Sequence, residues 1–187
     1  MRKIIQIVHT SIDGFVAGPN GELDWFENAG EHLQFVNELV ESSDTTLFGR
    51  TTFEMFNSYW PLAKDDVNSS ATEVKFATWY DGAKKIVLSR SLESVTTENT
   101  TVINHAVPET LQEIKSGEGK DIVLFGSPAV GQLLTDLNLI DEYWIFINPV
   151  FFRSGIPLFS ASGKKTRLQL IDTKVISNGE VALHYSL

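Results

Sequence analysis

Short runs of β-branched and apolar residues alternate with helix-like patterns along most of this chain. Residues 4–8 read Ile-Ile-Gln-Ile-Val and residues 121–125 read Asp-Ile-Val-Leu-Phe, which is typical of buried strands. Residues 30–41 carry apolar side chains at the spacing of one helix face. Strands that alternate with helices form a mostly parallel sheet, because a parallel connection needs a crossover. The sequence therefore predicts an α/β fold.

The remaining elements follow from the same periodicities and from turn residues. We predict further strands at 45–48, 85–88, 101–104 and 143–147, and further helices from 51, over 67–79, from Pro108 to 116 and from Pro128. Asp81-Gly82 is predicted as a turn. Asn178-Gly179 separates residues 168–177 from 180–187, which is the strongest short signal for a β-hairpin. A length of 187 residues suits one domain.

Composition excludes several classes of protein. The absence of cysteine excludes disulfides, a thiolate nucleophile and Cys-ligated zinc, and a cytoplasmic location is expected by default. The histidines show no metal-binding spacing, so no metal site is expected. A formal net charge of −9 argues against a nucleic-acid or anionic membrane surface, and no apolar run approaches the ~20 residues that span a bilayer. A small molecule is the expected partner.

Three predicted strands end in residues suited to phosphate. Gly49-Arg50-Thr51-Thr52 and Gly126-Ser127-Pro128 each lead into a helix, with Ser127 as the expected N-cap, and Leu88-Ser89-Arg90 follows a third strand. Helix N-termini offer amide groups, and arginine can hold phosphate with two parallel hydrogen bonds. The carboxyl ends of parallel strands share one sheet edge, so we expect these turns to converge there. Each of these segments can also be an ordinary turn without a ligand. Arg90 can also be a solvated charge at the surface.

The dinucleotide fingerprint Gly-x-Gly-x-x-Gly does not follow the first strand, so the chain is not a standard Rossmann dehydrogenase. Ser11–Trp25 is instead predicted as one long loop that contains Gly14 and Gly18. Such a loop is either a lid or an ordinary surface loop. A lid would exclude water during hydride transfer.

The order of these motifs resembles the dihydrofolate reductase fold. The order is a strand, a Ser-Ile-Asp-Gly loop, Gly-Arg-Thr-Thr-Phe-Glu, Ile-Val-Leu-Ser, and Phe-Gly-Ser with a helix. It resembles more closely the reductase domain of the bifunctional riboflavin-biosynthesis deaminase–reductase and the stand-alone proteins built on that domain. The resemblance implies a single domain over 1–187, a three-layer αβα sandwich with a mostly parallel central sheet and a C-terminal antiparallel hairpin.

The resemblance also implies roles for particular residues. Asp13 of the Ser-x-Asp-Gly signature lies beside the active-site cleft and is the catalytic candidate, while Trp25 and Phe53 are the substrate-binding candidates. The cofactor-binding candidates are Val8, Val16 and Ala17 beside the nicotinamide, Gly49, Arg50, Thr51 and Thr52 at a phosphate turn, Leu88, Ser89 and Arg90 around the 2′-phosphate, and Gly126, Ser127, Ala129 and Val130 at the pyrophosphate. Two arginines with several hydroxyls favour NADPH over NADH.

The implied activity is NADPH-dependent reduction of a small heterocyclic or ribosylamino-pyrimidine-type substrate, similar to 5-amino-6-(5-phosphoribosylamino)uracil reductase. The alternative is a cofactor-binding module in which dihydrofolate reductase activity is weak or lost. The position near Leu33, where dihydrofolate reductases carry a pterin-binding carboxylate, motivates that alternative. A homodimer is also implied, and Tyr143, Phe146, Phe151 and Phe152 are the residues expected at its interface.

Overall fold

The computed structural model describes residues 1–25, 30–161 and 163–187. In chain order the elements are β1 (Ile4–Ser11), β2 (Phe15–Ala17), α1 (Gly30–Val40), β3 (Ser43–Gly49), α2 (Arg50–Ala63), α3 (Ala71–Gly82), β4 (Lys84–Leu88), β5 (Thr100–Ile103), α4 (Val107–Ser116), β6 (Asp121–Phe125), α5 (Pro128–Asp136), β7 (Glu142–Asn148), β8 (Ile156–Pro157), β9 (Gln169–Val175) and β10 (Val181–Ser186). They form two compact units. Unit 1 comprises Met1–Arg2 and Asn28–Val123, and unit 2 comprises Lys3–Glu27 and Leu124–Leu187.

Unit 1 is built around three parallel strands in the order β5-β4-β3. An aromatic cluster fills the space against α2 and α3, because these helices and β3 direct large side chains towards one another. Its rings include Phe48, Phe56, Trp60, Phe76 and Tyr80. The burial of Phe76 and Tyr80 in this cluster stabilises α3, whose apolar residues are only weakly patterned.

The prediction of a helix over 67–79 with a turn at Asp81-Gly82 is wrong at both ends. Helix α3 starts after Ser70, whose hydroxyl accepts a hydrogen bond from the Glu73 amide while the Glu73 side chain accepts one from the Ser70 amide. Asp81 and Gly82 belong to the last turn of the helix, where Asp81 pairs with Lys64 at 2.6 Å. This capping box therefore sets the helix start later than apolar spacing suggested.

Unit 2 contains the strand order β1-β7-β10-β9. Strand β1 pairs parallel with β7, whereas β7–β10 and β10–β9 are antiparallel. The predicted hairpin at Asn178-Gly179 is confirmed, and Gly179 has a φ of +92°, which favours glycine. Parallel pairing in both units, the helices and this hairpin together confirm the predicted α/β class with a mostly parallel sheet.

The prediction of a continuous loop over Ser11–Trp25 is wrong in its middle. Residues Phe15–Ala17 form β2, which pairs antiparallel with β8. An added Cβ at Gly155 would lie 2.3 Å from the Ala17 carbonyl oxygen, so the two segments can approach closely because residue 155 is glycine. The first half of the expected lid is therefore fixed to unit 2 by backbone pairing.

The sequence predicts an apolar interface that contains Tyr143, Phe146, Phe151 and Phe152. This prediction is wrong for Tyr143 and Phe146. Tyr143 and Phe146 are buried inside unit 2, and the Tyr143 hydroxyl lies 3.0 Å from the Thr135 hydroxyl. Phe151 is exposed.

Within 1–25, 30–161 and 163–187, every helix is too short or too polar to cross a membrane.

Candidate functional site

The first two predicted phosphate turns lie side by side in unit 1. The parallel register of β3 and β4 pairs Gly49 with Leu88, so both strands end at the same level. Helix α2 begins at Arg50 directly after Gly49, which occupies the N-cap in an extended conformation and has no side chain with which to cap it. The structure thus brings the Gly49–Thr52 turn next to the Leu88–Arg90 turn, as expected for the carboxyl ends of two neighbouring parallel strands.

Arg50 joins these two turns. Its Nε donates to Glu54 Oε1 at 2.7 Å, and its Nη1 donates to the Ser91 hydroxyl at 3.4 Å. The side chains of Arg50 and Glu54 are 50% and 54% exposed. An ion pair in this setting contributes little to stability, so an incoming anion can replace Glu54 at small cost.

Ser89 shapes its own turn. Its hydroxyl oxygen accepts hydrogen bonds from the amides of Ser91, at 3.3 Å, and Leu92, at 3.1 Å. The hydroxyl hydrogen can still be donated to an acceptor. Arg90 follows on the exposed side of this turn. The turn therefore offers a cation and a fixed hydroxyl next to the start of α2.

The third turn, in unit 2, has an unusual backbone. Gly126 and Ser127 have φ values of +46° and +49°, so two consecutive residues adopt the left-handed conformation. The Gly126 amide donates to the Ile7 carbonyl at 2.9 Å, and its carbonyl accepts from the Gln6 side chain at 3.1 Å. The two left-handed residues reverse the chain after β6, so that the N-terminus of α5 lies at this turn, where amides of a first helical turn can bind an anion.

Helix α5 begins at Pro128, as predicted, and Ser127 occupies the N-cap position. The Ser127 hydroxyl does not make the expected capping hydrogen bond, because the left-handed backbone at this residue directs the side chain elsewhere. Ala129 is exposed and Val130 is buried. The prediction is therefore right about where the helix starts and wrong about how it is capped.

The residues assigned to the nicotinamide lie together in unit 2. Val8, Val16 and Leu158 form a buried cluster, and Ile145 and Ile156 pack against it. Ala17, at the end of β2, is buried as well. The side chains of Val8 and Val16 are thus part of a packed apolar core, which is a suitable rigid support for a flat ring.

The Asp13 carboxylate holds a turn through hydrogen bonds. Its carboxylate accepts hydrogen bonds from the Ser11 hydroxyl at 2.7 Å and from the amides of Phe152, at 3.1 Å, and Arg153, at 2.7 Å. The Ser11 hydrogen bond, together with those backbone amides, lowers the Asp13 pKa below its ordinary value. A general acid needs a pKa near the working pH. Asp13 therefore anchors the turn that carries Phe152 and Arg153, and its catalytic role stays a prediction.

The two substrate-binding candidates differ in their surroundings. Trp25 is half-buried, packs edge-on against Phe152 with ring centroids 5.0 Å apart, and donates from Nε1 to the Glu22 carbonyl at 3.2 Å. Phe53 is only 4% exposed and packs against Phe48. Helix α2 turns the Phe53 side chain into the aromatic core of unit 1, and its assignment to substrate contact stays a prediction.

A buried carboxylate beside an imidazole was not found by sequence reasoning. The Nδ1 atom of His9 lies 3.5 Å from Glu180 Oε1, and the ring stacks on Phe146 with centroids 5.0 Å apart. Glu180 is fully buried although it follows a hairpin turn, where a charged residue is ordinarily solvated. The sequence carries no signal for this pair, because its members come from strands far apart along the chain.

The donor set in each unit fits a phosphorylated dinucleotide. Unit 1 offers the Arg50 and Arg90 guanidinium groups, threonine hydroxyls and a helix N-terminus, and unit 2 offers the N-terminus of α5. Nothing lies within 4 Å of a Cβ added at Gly126, so the turn that leads into α5 is sterically open at that point. These are the groups that bind phosphate oxygens in other proteins.

Comparison with known proteins relates nearly the whole chain to one family. A profile of the RibD C-terminal domain matches residues 2–182. The chain is 31% identical over 187 residues to YyaP, an uncharacterized protein of Bacillus subtilis (strain 168), and the match covers 98% of this chain and 94% of that protein.

Solved structures share the fold. A Shewanella sp. PV-4 protein whose name refers to riboflavin biosynthesis matches with a TM-score of 0.73 and 21% identity, covering 98% of each chain. A diaminohydroxyphosphoribosylaminopyrimidine deaminase/5-amino-6-(5-phosphoribosylamino)uracil reductase from Thermotoga maritima matches with a TM-score of 0.68 and 14% identity, covering 99% of this chain and 56% of that one.

Proposed function

Because the chain belongs to the RibD C-terminal domain family, we propose that it is an NADPH-dependent reductase of a small heterocyclic substrate of the ribosylamino-pyrimidine type. The observation that carries the proposal is the register of β3 and β4, which aligns Gly49 with Leu88 and so brings two cation-bearing turns together in unit 1. Reductase activity named for the Thermotoga maritima protein of the same fold supports the reaction type.

Each group of residues has a defined part in this proposal. In unit 1, Arg50, Thr51 and Thr52 are assigned to a cofactor phosphate, and Ser89 and Arg90 to the 2′-phosphate. In unit 2, the start of α5 is assigned to the pyrophosphate. When bound, NADPH supplies a hydride. The packed Val8 and Val16 side chains support the nicotinamide ring, and the Asp13 carboxylate keeps the neighbouring turn in place.

A proton must accompany the hydride, and His9 is our candidate for its source. Glu180 Oε1 lies 3.5 Å from His9 Nδ1, so a proton carried by this ring would have a buried carboxylate beside it. His9 also follows Val8 directly on β1, so it shares a strand with a residue assigned to the nicotinamide.

A cofactor-binding module without turnover is the second candidate. Leu33, at the position where dihydrofolate reductases carry their substrate carboxylate, is buried in the core of unit 1 with 1% exposure. It therefore cannot anchor a pterin, and a cofactor-binding protein that has lost catalysis would show the same feature.

Titration with NADPH, followed by nicotinamide fluorescence and calorimetry, tests the proposal. We expect saturable binding with preference over NADH, and NADPH oxidation with at least one member of a panel of ribosylamino-pyrimidines, pterins and quinones. Saturable binding without oxidation across the panel would favour the second candidate. No saturation at millimolar NADPH would refute both.

A further inference from the structure

A buried glutamine lies in the middle of β1. Residues 4–8 read Ile-Ile-Gln-Ile-Val, and Gln6 is fully buried. An apolar residue would fill this position without the cost of removing an amide from water. Among the described residues, the amide oxygen Oε1 of Gln6 has no hydrogen-bond partner, so part of that cost is not offset. Stability alone therefore does not account for a glutamine at this position.

The amide nitrogen of Gln6 points at the turn between β6 and α5. Its Nε2 donates to the Gly126 carbonyl at 3.1 Å, and the adjacent Ile7 carbonyl accepts from the Gly126 amide at 2.9 Å. Because only the nitrogen of a side-chain amide can donate to a carbonyl, this contact also fixes the orientation of the Gln6 amide. Strand β1 thus holds both backbone polar groups of Gly126.

Helix α5 leaves room for this side chain at Gly131. A Cβ added there would lie 2.4 Å from Gln6 Nε2 and 3.2 Å from its Oε1, so an alanine would displace the amide. Gly131 lies inside α5, where glycine is less favourable than alanine. A buried amide in a strand and a glycine in a helix, each unfavourable by itself, therefore meet at one contact. Their coincidence indicates that this contact serves the turn.

The contact sets the direction of the Gly126–Ser127 peptide. The described residues contain no cis peptide bond, and in a trans peptide the carbonyl and the following amide hydrogen point in opposite directions. Since the Gly126 carbonyl points at Gln6, the Ser127 amide points away from Gln6. A carbonyl oxygen turned the other way, towards the start of α5, would repel an anion bound by amides of the first helical turn.

The backbone of Ser127 is strained in the observed direction. Its φ of +49° is left-handed, and the following Pro128 favours an extended residue before it. Rotating the Gly126–Ser127 peptide by half a turn would bring this φ to about −130°, in the ordinary extended region. The turn would therefore relax to the reversed peptide unless a contact held it, and Gln6 makes that contact.

We propose that Gln6 is a positioning residue that holds the Gly126–Ser127 peptide in the direction that accepts an anion at the start of α5. Without the Gln6 amide, the peptide reverses, which relieves Ser127 and turns the Gly126 carbonyl towards the ligand. The inference rests on the proposed function for the identity of that ligand, since the start of α5 is assigned to the cofactor pyrophosphate. Gln6 acts through the turn and does not touch the cofactor.

Gln6→Met tests the inference, because methionine has a similar length and lacks the donor. Loss of one neutral hydrogen bond changes an equilibrium by about two- to tenfold, and the Kd of NADPH and that of NADH should both rise by such a factor, since both carry the pyrophosphate. Urea unfolding should show a stability no lower than that of wild type, because a buried amide with an unpaired oxygen is removed. An unchanged Kd in the folded variant would overturn the inference.

Two further variants make this test specific. Gln132→Met is the matched control, because Gln132 lies on α5 and also donates to a backbone carbonyl, that of Pro157 at 2.7 Å, which is outside this turn. Its Kd values should equal those of wild type. Gly131→Ala displaces the Gln6 amide, so it should raise both Kd values as Gln6→Met does, and the double variant should bind no more weakly than either single one. Additive losses would contradict a shared contact.

A crystal structure of ligand-free Gln6→Met separates this inference from the proposed function. We expect the Gly126 carbonyl to be reversed and the φ of Ser127 to be negative. An unchanged peptide would overturn the inference even if wild type binds NADPH. A reversed peptide in the variant, together with no saturable NADPH binding by wild type, would support the role of Gln6 and refute the proposed function.

Discussion

Replacement of Arg50 by alanine is the most direct test of the proposed phosphate site. Hydrogen bonds between charged groups contribute about 1.5–3 kcal/mol. The same guanidinium already pairs with Glu54, and an exposed pair of this spacing contributes about 0.3–0.5 kcal/mol that a phosphate must replace. The net loss of NADPH affinity should therefore be about 1–2.5 kcal/mol, or roughly 5- to 70-fold in Kd.

Glu54→Gln is the matched partner of this experiment. It removes the competitor of the phosphate but leaves the arginine, so NADPH should bind about twofold more tightly, which corresponds to the 0.3–0.5 kcal/mol of the broken pair. Both Kd values are obtained by calorimetry, and urea unfolding of each variant should differ from wild type by less than about 0.5 kcal/mol, because both side chains are half exposed.

Comparison with NADH separates the two arginines. Arg50→Ala should weaken NADPH and NADH alike, since Arg50 is assigned to a phosphate that both cofactors carry. Arg90→Ala should weaken NADPH alone. An unchanged NADPH Kd in Arg50→Ala, or tighter binding of NADPH to that variant, would contradict the assignment.

Three further substitutions probe the scaffold of the site. Arg2→Met removes hydrogen bonds to Lys120, Asp44 and Thr45 from a buried guanidinium, and urea unfolding should show a loss of about 2–3 kcal/mol. In Gly126→Ala the added methyl group enters open space, so only the left-handed φ opposes the substitution. The same assay should show a loss of about 1–2 kcal/mol in the free energy of unfolding. An unchanged free energy of unfolding would contradict the proposed strain. Asp13→Asn removes a carboxylate whose pKa is lowered on folding. Its stabilisation is present above the ordinary carboxyl pKa and is lost as pH falls through the folded value, so the melting temperature should drop at pH 7 and the gap should close in acid.

The features that the sequence predicts well are those set by neighbouring residues. The strand that ends at Gly49 and the strand that ends at Leu88 each show a local pattern, and the crossover rule for parallel strands then places them side by side. The start of α5 at Pro128 and the hairpin turn at Gly179 follow from the dihedral preferences of single residues.

The features that were missed depend on partners far along the chain. Strand β2 exists because it pairs with β8, and Asp13 is engaged by the amides of Phe152 and Arg153. Phe53 is buried because of which face of α2 meets the aromatic cluster, and no short window of sequence contains that information. The burial of Glu180 beside His9 likewise depends on segments that are far apart along the chain.

The strand order of unit 2 also constrains when the molecule can be completed during synthesis. Strands β3, β4 and β5 of unit 1 are neighbours in sequence and can pair as they emerge from the ribosome. In unit 2, β1 is made first but pairs with β7, and β9 is made before β10, which must lie between it and β7. The growing chain therefore carries β1 without β7 for most of its synthesis, whereas β9 waits only for the few residues that precede β10. A chain that stops before β10 would leave β9 without a partner in its own sheet.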